Sequence, residues 1–217
     1  MNTLKFVQMN SLALLVQHEL TKMILSGEIA MGEWLNEATL SKRFNVSRGP
    51  IREAFRSLEE SGLLRQEKNR GVFVREISAE EANQIYEIRE VLDEFIGRKA
   101  ASSVTDAEIK ALRNIVKTMD RAVKAADLSA YYAANLSFHD LLAEYARNPK
   151  LSATYRRLIN ELHIFRLRGL SKEAGMQQSN EEHHTIVTAI EAKDAAAAAR
   201  ACKAHVLASK RRIEKQR

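Results

Sequence analysis

The sequence is poor in residues that interrupt helices and in residues that crosslink chains. Its 217 residues include one cysteine, Cys202, which excludes an internal disulfide framework and fits a reducing cytoplasm. Only 2 prolines and 8 glycines punctuate the chain, and alanine runs such as 195–199 are frequent, so a mainly helical fold is expected. No segment approaches 18 uninterrupted apolar residues, and the first residues lack the pattern of a signal peptide, so we expect a cytoplasmic protein without a membrane span.

Net charge alone does not locate a binding surface. The formal charge is +6 and the pI is about 9.5, which permits an anionic partner. Residues 1–77 hold 11 Lys/Arg and 9 Asp/Glu, a net charge of +2, which leaves +4 for the remainder. Any argument for nucleic-acid binding therefore depends on where individual arginines lie.

The stretch 46–62 has the pattern of an amphipathic helix with a basic face. Ser47 is a typical N-cap residue, and Gly62 is typical of the position just after a helix. An apolar stripe recurs at steps of four and three, at Ile51, Phe55 and Leu58. Another face repeats arginine every four residues, at Arg48, Arg52 and Arg56. Such a face is either simply solvated or offered to the phosphates and base edges of DNA.

The flanking segments favour DNA binding. A helix is predicted over 11–26 after a mobile arm at 1–10, and Asn36 can N-cap a second, short helix that Asn45 ends. After Gly62, residues 63–66 and 71–75 can pair across the polar turn 67–70, and Trp34 can end a short extended connector. Three helices followed by a hairpin are the layout of a winged helix-turn-helix. Lys68 and Arg70 at the hairpin tip either reach DNA or form an ordinary solvated turn.

A second domain is expected from residue 78 onward, so the predicted domains are 1–77 and 78–217. Capping boxes at Ser78/Glu81 and Thr105/Glu108 each predict the start of a helix. Strand patterns disappear after this point. Six or seven antiparallel helices are expected to form an all-α bundle, with candidates at 79–103, 106–125, 128–147, 149–169, 178–192 and 195–215.

Histidines in this bundle form a candidate metal site. Asn135 and His139 lie four residues apart on one helix and therefore share a face, while His183 and His205 lie on the last two helices. Three imidazoles and an amide oxygen suit zinc, nickel or manganese, with positions left for water or ligand. Each histidine could instead be an isolated core or surface residue. Cys202, three residues before His205, is an alternative soft ligand or a packing residue.

The motifs resemble those of a known family. Residues 46–54 (VSRGPIREA), 58–64 (LEESGLL) and 70–74 (RGVFV) are similar to the winged helix-turn-helix of the GntR family of bacterial transcriptional regulators. Residues 88–93 (IREVLD), 135–139 (NLSFH), 148–149 and 182–183, with His205, are similar to the FCD effector domain of its FadR-type subgroup. The resemblance covers nearly the whole chain in the right order.

This resemblance implies roles for individual residues. Those that match contacts to the grooves and phosphates of DNA are Ser47, Arg48, Pro50 and Arg52, with Arg70 and Gly71 in the wing. The matching metal ligands are Asn135, His139, His183 and His205, and Arg89 matches an arginine that helps to hold an acidic effector. Ala38 replaces an arginine of some members, which removes one DNA contact. Asn135 replaces an aspartate, and a neutral amide is the weaker ligand for a hard cation.

The implied function is that of a ligand-responsive regulator, and the resemblance implies a repressor. A homodimer would bind a pseudo-palindromic operator in double-stranded DNA, and a small carboxylate or phosphonate-like effector would bind at the metal. No catalytic residue is predicted. The alternative from another class is a metal-dependent all-α enzyme that uses the Asn/His3 site to activate water; no carboxylate base is evident beside the ligands.

Overall fold

The computed structural model describes residues 3–171 and 174–214, with side chains other than those of residues 3–11, 164, 168 and 214. The chain divides between Ile77 and Ser78 into two compact units, a winged-helix unit and a helical unit. Among the described residues, no helix combines the length and apolar character needed to cross a membrane.

The winged-helix unit contains three helices and three strands in the predicted order. Its elements are α1 (Thr3–Leu25), β1 (Trp34–Leu35), α2 (Glu37–Arg43), α3 (Arg48–Glu60), β2 (Leu64–Glu67) and β3 (Gly71–Val74). The mobile arm predicted for residues 1–10 is wrong from Thr3 onward, because no glycine or proline interrupts the helical run before Leu25. The described α1 therefore begins eight residues before the predicted start at Ser11.

Local signals position α3 as expected. Ser47 is its N-cap, and Gly62 follows its C-cap with a φ of +81°, a conformation that glycine adopts without steric cost. The Leu63 N–H donates to the Leu58 carbonyl (2.9 Å) and the Gly62 N–H to the Glu59 carbonyl (3.0 Å), which is a Schellman motif. The apolar stripe faces the core of this unit, so the opposite, arginine-bearing side of α3 faces solvent.

The wing is a small antiparallel sheet in the order β1-β3-β2. Gly71 begins β3 with a φ of +107°, and a Cβ atom there would lie 2.7 Å from Trp34 Nε1. Both the backbone conformation and the approach of the indole therefore require glycine at this corner of the wing.

The helical unit consists, in its described part, of seven helices. They are α4 (Ala79–Ser103), α5 (Asp106–Lys124), α6 (Leu128–Tyr145), α7 (Pro149–Glu161), α8 (His163–Leu170), α9 (Gly175–Glu191) and α10 (Ala195–Glu214). Both predicted capping boxes form, with the Ser78 and Thr105 N–H groups each donating to a glutamate at 2.9 Å. Helix α10 packs along α4, and α9 lies against both α5 and α10.

The single helix predicted over 149–169 is wrong. It is broken at Leu162, where ψ is 0°, and continues as α8 from His163. No glycine or proline marks this break. The break lets two polar residues at the start of α8, His163 and Arg166, lie in the interior of the unit, at 1% and 4% exposure.

Candidate functional site

The start of α3 presents polar groups to solvent. Ser47 and Arg48 are exposed, and the Ser47 side chain makes no capping hydrogen bond. The Arg52 side chain is 60% exposed, and its Nε donates to Glu37 Oε2 at 2.8 Å. An exposed ion pair of this kind contributes at most about 1 kcal/mol, so a phosphate or base can replace Glu37 as the partner of Arg52.

Pro50 departs from the predicted set of DNA contacts. It is buried in the first turn of α3 together with Ile51, although the resemblance places it among residues that touch DNA. Its fixed φ suits the first helical turn, where the missing N–H costs least. In this structure Pro50 shapes the start of the helix and does not present a side chain to solvent.

Arginines also gather at the wing. The Arg70 side chain is 71% exposed, and it pairs with Glu67 at 2.5 Å. Glu67 also pairs with Arg65, and both guanidinium groups lie over the ring of Phe73, with the Arg65 and Arg70 carbons 5.3 and 5.5 Å from its centroid. The tip of the wing is therefore basic and accessible, while Gly71 fixes its shape.

Three histidines converge inside the helical unit. His139 on α6 lies with its Nε2 3.4 Å from His183 Nε2 on α9 and 3.3 Å from His205 Nε2 on α10. All three rings are at most 4% exposed. Two nitrogens bound roughly 2.05 Å from a tetrahedral zinc ion lie about 3.3 Å apart. The two separations from His139 therefore fit a common metal ion, and the ligand atoms of all three histidines lie within 4.8 Å of one another.

The opposite ring nitrogens are held by neighbouring side chains. His205 Nδ1 lies 2.7 Å from Glu182 Oε2, and a carboxylate can only accept, so Nδ1 carries the proton. The Tyr155 hydroxyl donates to Asp93 Oδ1 (2.7 Å), so it accepts from His139 Nδ1 (3.3 Å). Both arrangements leave the Nε2 lone pair free for a metal.

Tyr131, Tyr155 and Glu182 form this second layer, and the roles predicted from the sequence do not include theirs. The Tyr131 hydroxyl lies 3.4 Å from Nδ1 of His183, the third histidine of the cluster. Glu182 is itself held by Arg212 at 2.6 and 3.1 Å. Among these three residues, only Glu182 has a sequence signal for its role, because it directly precedes His183. The tyrosines come from distant positions on other helices.

Of the other residues considered as ligands, Asn135 fits the metal site, whereas Cys202 and His184 do not. Asn135 lies one turn before His139, and its buried Oδ1 has no hydrogen-bond partner, as expected for an atom that coordinates a metal. Cys202 is not part of the cluster: its Sγ lies against Gly97, where a Cβ atom would be 2.7 Å away, so it is a packing residue. His184 points to the surface and pairs with Asp120 at 2.8 Å.

Arg89 lies behind the histidine cluster in an internal ion pair. Its Nε is 3.3 Å from Asp93 Oδ2, its Nη2 donates to the Tyr155 hydroxyl at 3.2 Å, and its side chain is 1% exposed. The carboxylate of Asp93 raises the pKa of Arg89 against the lowering effect of burial. The charge predicted to hold an effector is thus already balanced within the chain, and Arg89 supports His139 through Tyr155.

A narrow cavity opens on another side of the cluster. Polar groups line most of it, namely Asn135, Arg166, Ser179, His205, Ser209 and Arg212. Arg166 contributes a buried Nη1 without a hydrogen-bond partner. The neighbouring buried histidine, His163, is occupied elsewhere, since its Nδ1 lies 2.7 Å from the Tyr132 hydroxyl. No pattern in the sequence predicts a role for Arg166 or His163.

Burial keeps the three cluster histidines neutral. It lowers the pKa of His139 and His183 well below 6.5, and it lowers that of His205 against the opposing effect of Glu182. The unfolded chain therefore binds more protons than the folded chain once the pH falls below about 6.5. Stability should be lost progressively below that pH and should be insensitive to these groups above it.

This protonation difference can be measured in metal-free protein. With chelator present, the free energy of unfolding should fall by up to about 1.4 kcal/mol per pH unit for each histidine that stays neutral. Urea unfolding at pH 7.5, 6.5 and 5.5 tests this. His139→Asn, which cannot titrate, should show a shallower decline. Equal stability at pH 7.5 and 5.5 would contradict neutral burial.

Known proteins match this chain over both units. The model of bacterial regulatory proteins of the gntR family matches residues 12–74, and the FCD domain model matches residues 84–208. The HTH-type transcriptional regulator YdhC of Bacillus subtilis (strain 168) is 29% identical over 192 residues, 88% of this chain and 84% of the relative. The HTH-type transcriptional repressor RspR of Escherichia coli (strain K12) is 29% identical over 178 residues, 82% and 78% of the two chains.

Solved structures share the fold. The structure of E. coli McbR/YncC superimposes with a TM-score of 0.82 at 20% identity, over 94% of this chain and 98% of that one. The predicted winged helix followed by an all-α FCD bundle is confirmed, and the alternative of a metal-dependent enzyme is wrong. Since the FCD match alone extends over more than half of the residues, the chain belongs to the GntR family of transcriptional regulators with an FCD effector domain.

Proposed function

We propose that this regulator is a cytoplasmic repressor that binds a pseudo-palindromic operator as a homodimer and responds to a small anionic metabolite. One observation carries the proposal: exposed arginines begin α3 in one unit, while a buried histidine cluster of metal-binding geometry lies in the other. The relative RspR is a repressor by name, which supports the direction of control.

The DNA contacts follow from exposure at α3 and at the wing. Arg48 and Arg52 lie in the first two turns, the part of a recognition helix that reaches base edges, and the exposed Ser47 hydroxyl can contact a phosphate. Arg70 enters the neighbouring groove from the wing tip that Gly71 shapes. Arg56, 70% exposed and paired with Glu53, is left for phosphate or solvent.

The proposed metal ligands are Asn135, His139, His183 and His205. Their neutral donors and the Nε2 spacing favour zinc, while nickel and manganese also accept imidazole and oxygen ligands. When bound, the metal supplies a Lewis acid that holds an oxyanion such as a carboxylate or phosphonate. Tyr131, Tyr155 and Glu182 orient the imidazoles, and the burial of the cluster excludes bulk water.

Regulation requires only a modest coupling between the two sites. If the effector binds the DNA-competent state less tightly by about 1–3 kcal/mol, operator affinity falls roughly 5–150-fold. The same coupling requires that operator DNA weaken effector binding by the same factor. Titration of the effector with and without operator therefore measures the coupling from both directions.

Replacing Arg52 by alanine tests the DNA-binding assignment. The change should cost about 1–3 kcal/mol of operator affinity if Arg52 reads a base, and it should relax sequence preference at that position. A mobility-shift assay at fixed salt concentration, with operator variants, measures both effects. Arg48→Ala should also weaken operator binding. It should change sequence preference only if Arg48 contacts a base and not a phosphate.

A matched control separates base contact from loss of charge. Arg113 on α5 is also exposed (58%) and paired with a glutamate, but it belongs to the helical unit. Arg113→Ala removes the same charge and should leave operator affinity within about twofold. The recognition-helix assignment fails if neither Arg48→Ala nor Arg52→Ala weakens operator binding beyond this control.

A further inference from the structure

Two buried arginines of the helical unit differ in how their charge is compensated. Arg89 faces the carboxylate of Asp93 at 3.3 Å. Arg166 is 4% exposed, yet no carboxylate of the described residues lies within ion-pair distance of it. Its guanidinium carbon lies over the ring of Tyr132, 5.9 Å from the ring centroid. A buried cation is costly without a counter-charge, so Arg166 is the group that calls for an anion.

The position of Arg166 indicates where this anion would lie. The guanidinium lines the same cavity as His205 and Asn135, two of the proposed metal ligands. Arg212, which also lines it, is already paired with Glu182. Serine hydroxyls from α9 and α10, Ser179 and Ser209, offer further hydrogen bonds. The cavity therefore joins the metal site to one arginine whose charge is not balanced.

Charge and size limit the ligand. Three neutral imidazoles and a neutral amide leave the full +2 of a divalent metal uncompensated, and Arg166 adds a third positive charge. The cavity is small, about 10 Å3, which is the size at which one water molecule begins to fit. A long acyl chain or a sugar ring is much larger than this space, so the cavity favours a compact ligand, and its lining side chains must move apart to admit even a small oxyanion.

We propose that Arg166 forms a second anion subsite, so that the effector is a compact dianion with one oxyanion group on the metal and the other on Arg166. This inference rests on the proposed function, because it assumes the metal site. It assigns to Arg166 the effector contact that the sequence resemblance gives to Arg89. A small dicarboxylate and a phosphate-type ion share the required chemistry.

Thermal unfolding of metal-free protein tests the charge argument without any effector. Arg166→Met removes a buried cation that has no carboxylate partner, so its melting temperature should rise, by roughly 2–4 °C. Arg89→Met is the matched control, and it should lower the melting temperature because it leaves Asp93 buried without its cation. A fall for Arg166→Met as large as that for Arg89→Met would overturn the inference.

Ligand binding tests the subsite itself. Calorimetry with zinc-loaded protein compares malonate with propionate, which has the same carbon chain and one carboxylate fewer, and includes inorganic phosphate. Malonate or phosphate should bind at least tenfold more tightly than propionate. Arg166→Gln should abolish that preference, and Arg166→Lys should restore part of it. If phosphate binds more tightly than propionate but malonate does not, the effector is a phosphate-type ion and not a dicarboxylate.

Three results would overturn the subsite. They are equal binding of the three probes, an unchanged preference in Arg166→Gln, and loss of the preference in Arg89→Met alone. Zinc content and operator binding of the unaltered protein are measured alongside. If both are present while the preference is absent, the inference fails and the proposed function stands; if zinc does not bind, the metal assignment fails, while the melting comparison still tests Arg166.

Discussion

Replacing His139 by alanine is expected to remove the bound metal. His139 is the central member of the cluster, since its Nε2 lies within 3.4 Å of the Nε2 atoms of both His183 and His205. Without it, the remaining nitrogens and the Asn135 amide cannot surround the ion on all sides. Zinc content by elemental analysis should fall from about one ion per chain to near zero, and His205→Ala should behave in the same way.

The adjacent histidines on α9 provide a matched control. His184 follows His183 directly but lies at the surface with Asp120, and its side chain is 54% exposed. His184→Ala should therefore retain its zinc. Glu182→Gln should weaken zinc binding by about 10–100-fold, because the amide no longer gives His205 a charged acceptor. Full zinc content in both His139→Ala and His205→Ala would refute the site, and operator binding in the absence of effector shows that the variants remain folded.

The sequence was most informative where one local signal determines one local conformation. Ser47 and Gly62 bound α3 as predicted, because N-cap and left-handed positions strongly select residue type. The capping box at Ser78 and Glu81 formed for the same reason. The position of Asn135 and His139 on one helix face also follows from spacing alone, since residues four apart share a face.

Features that depend on tertiary packing were harder to predict. The break at Leu162 has no local marker, so it follows from the fit of α7 and α8 to their neighbours and not from intrinsic propensity. That break brings Arg166 inside, where no periodic pattern would place an arginine. The burial of Arg89 against Asp93, four residues later on the same helix, was likewise not predicted, because spacing does not show whether an ion pair lies inside or at the surface.

The histidine cluster lies between these two cases. His183 and His205 are candidates because facing helices of a bundle can share a metal site, and the family resemblance matches them; no spacing rule joins residues on different helices. The hydroxyl of Tyr155 and the carboxylate of Glu182 fix which ring nitrogen is free, and this depends on distances of about 3 Å that only packing sets. The residues that bind were therefore easier to identify than the residues that orient them.

A row of exposed apolar side chains on α4 supports the proposed homodimer. Ile88, Val91 and Phe95 are 50%, 67% and 43% exposed, and their spacing of three and four places them on one face of the helix. Large apolar groups that share an exposed face mark an interaction surface. A second copy of the chain is the occupant that the proposed pseudo-palindromic operator requires, since the same patch then meets itself.

Val91→Asp is expected to convert the proposed dimer into a monomer. In a two-fold interface the change buries one carboxylate from each copy, and neither gains a cation to offset its desolvation. Sedimentation velocity at micromolar concentration should show the shift. Operator affinity should fall by about 10²–10⁴-fold, because the two recognition helices no longer bind as a linked pair.

Ala133→Asp, at an exposed position of α6, introduces the same charge on the same unit and should remain dimeric. Val91 is exposed in the single chain, so the substitution should not disturb the packing of the monomer. A cooperative melting transition of the monomeric variant would show that its fold is intact. A Val91→Asp protein that stays dimeric and binds operator normally would place the dimer interface on another surface.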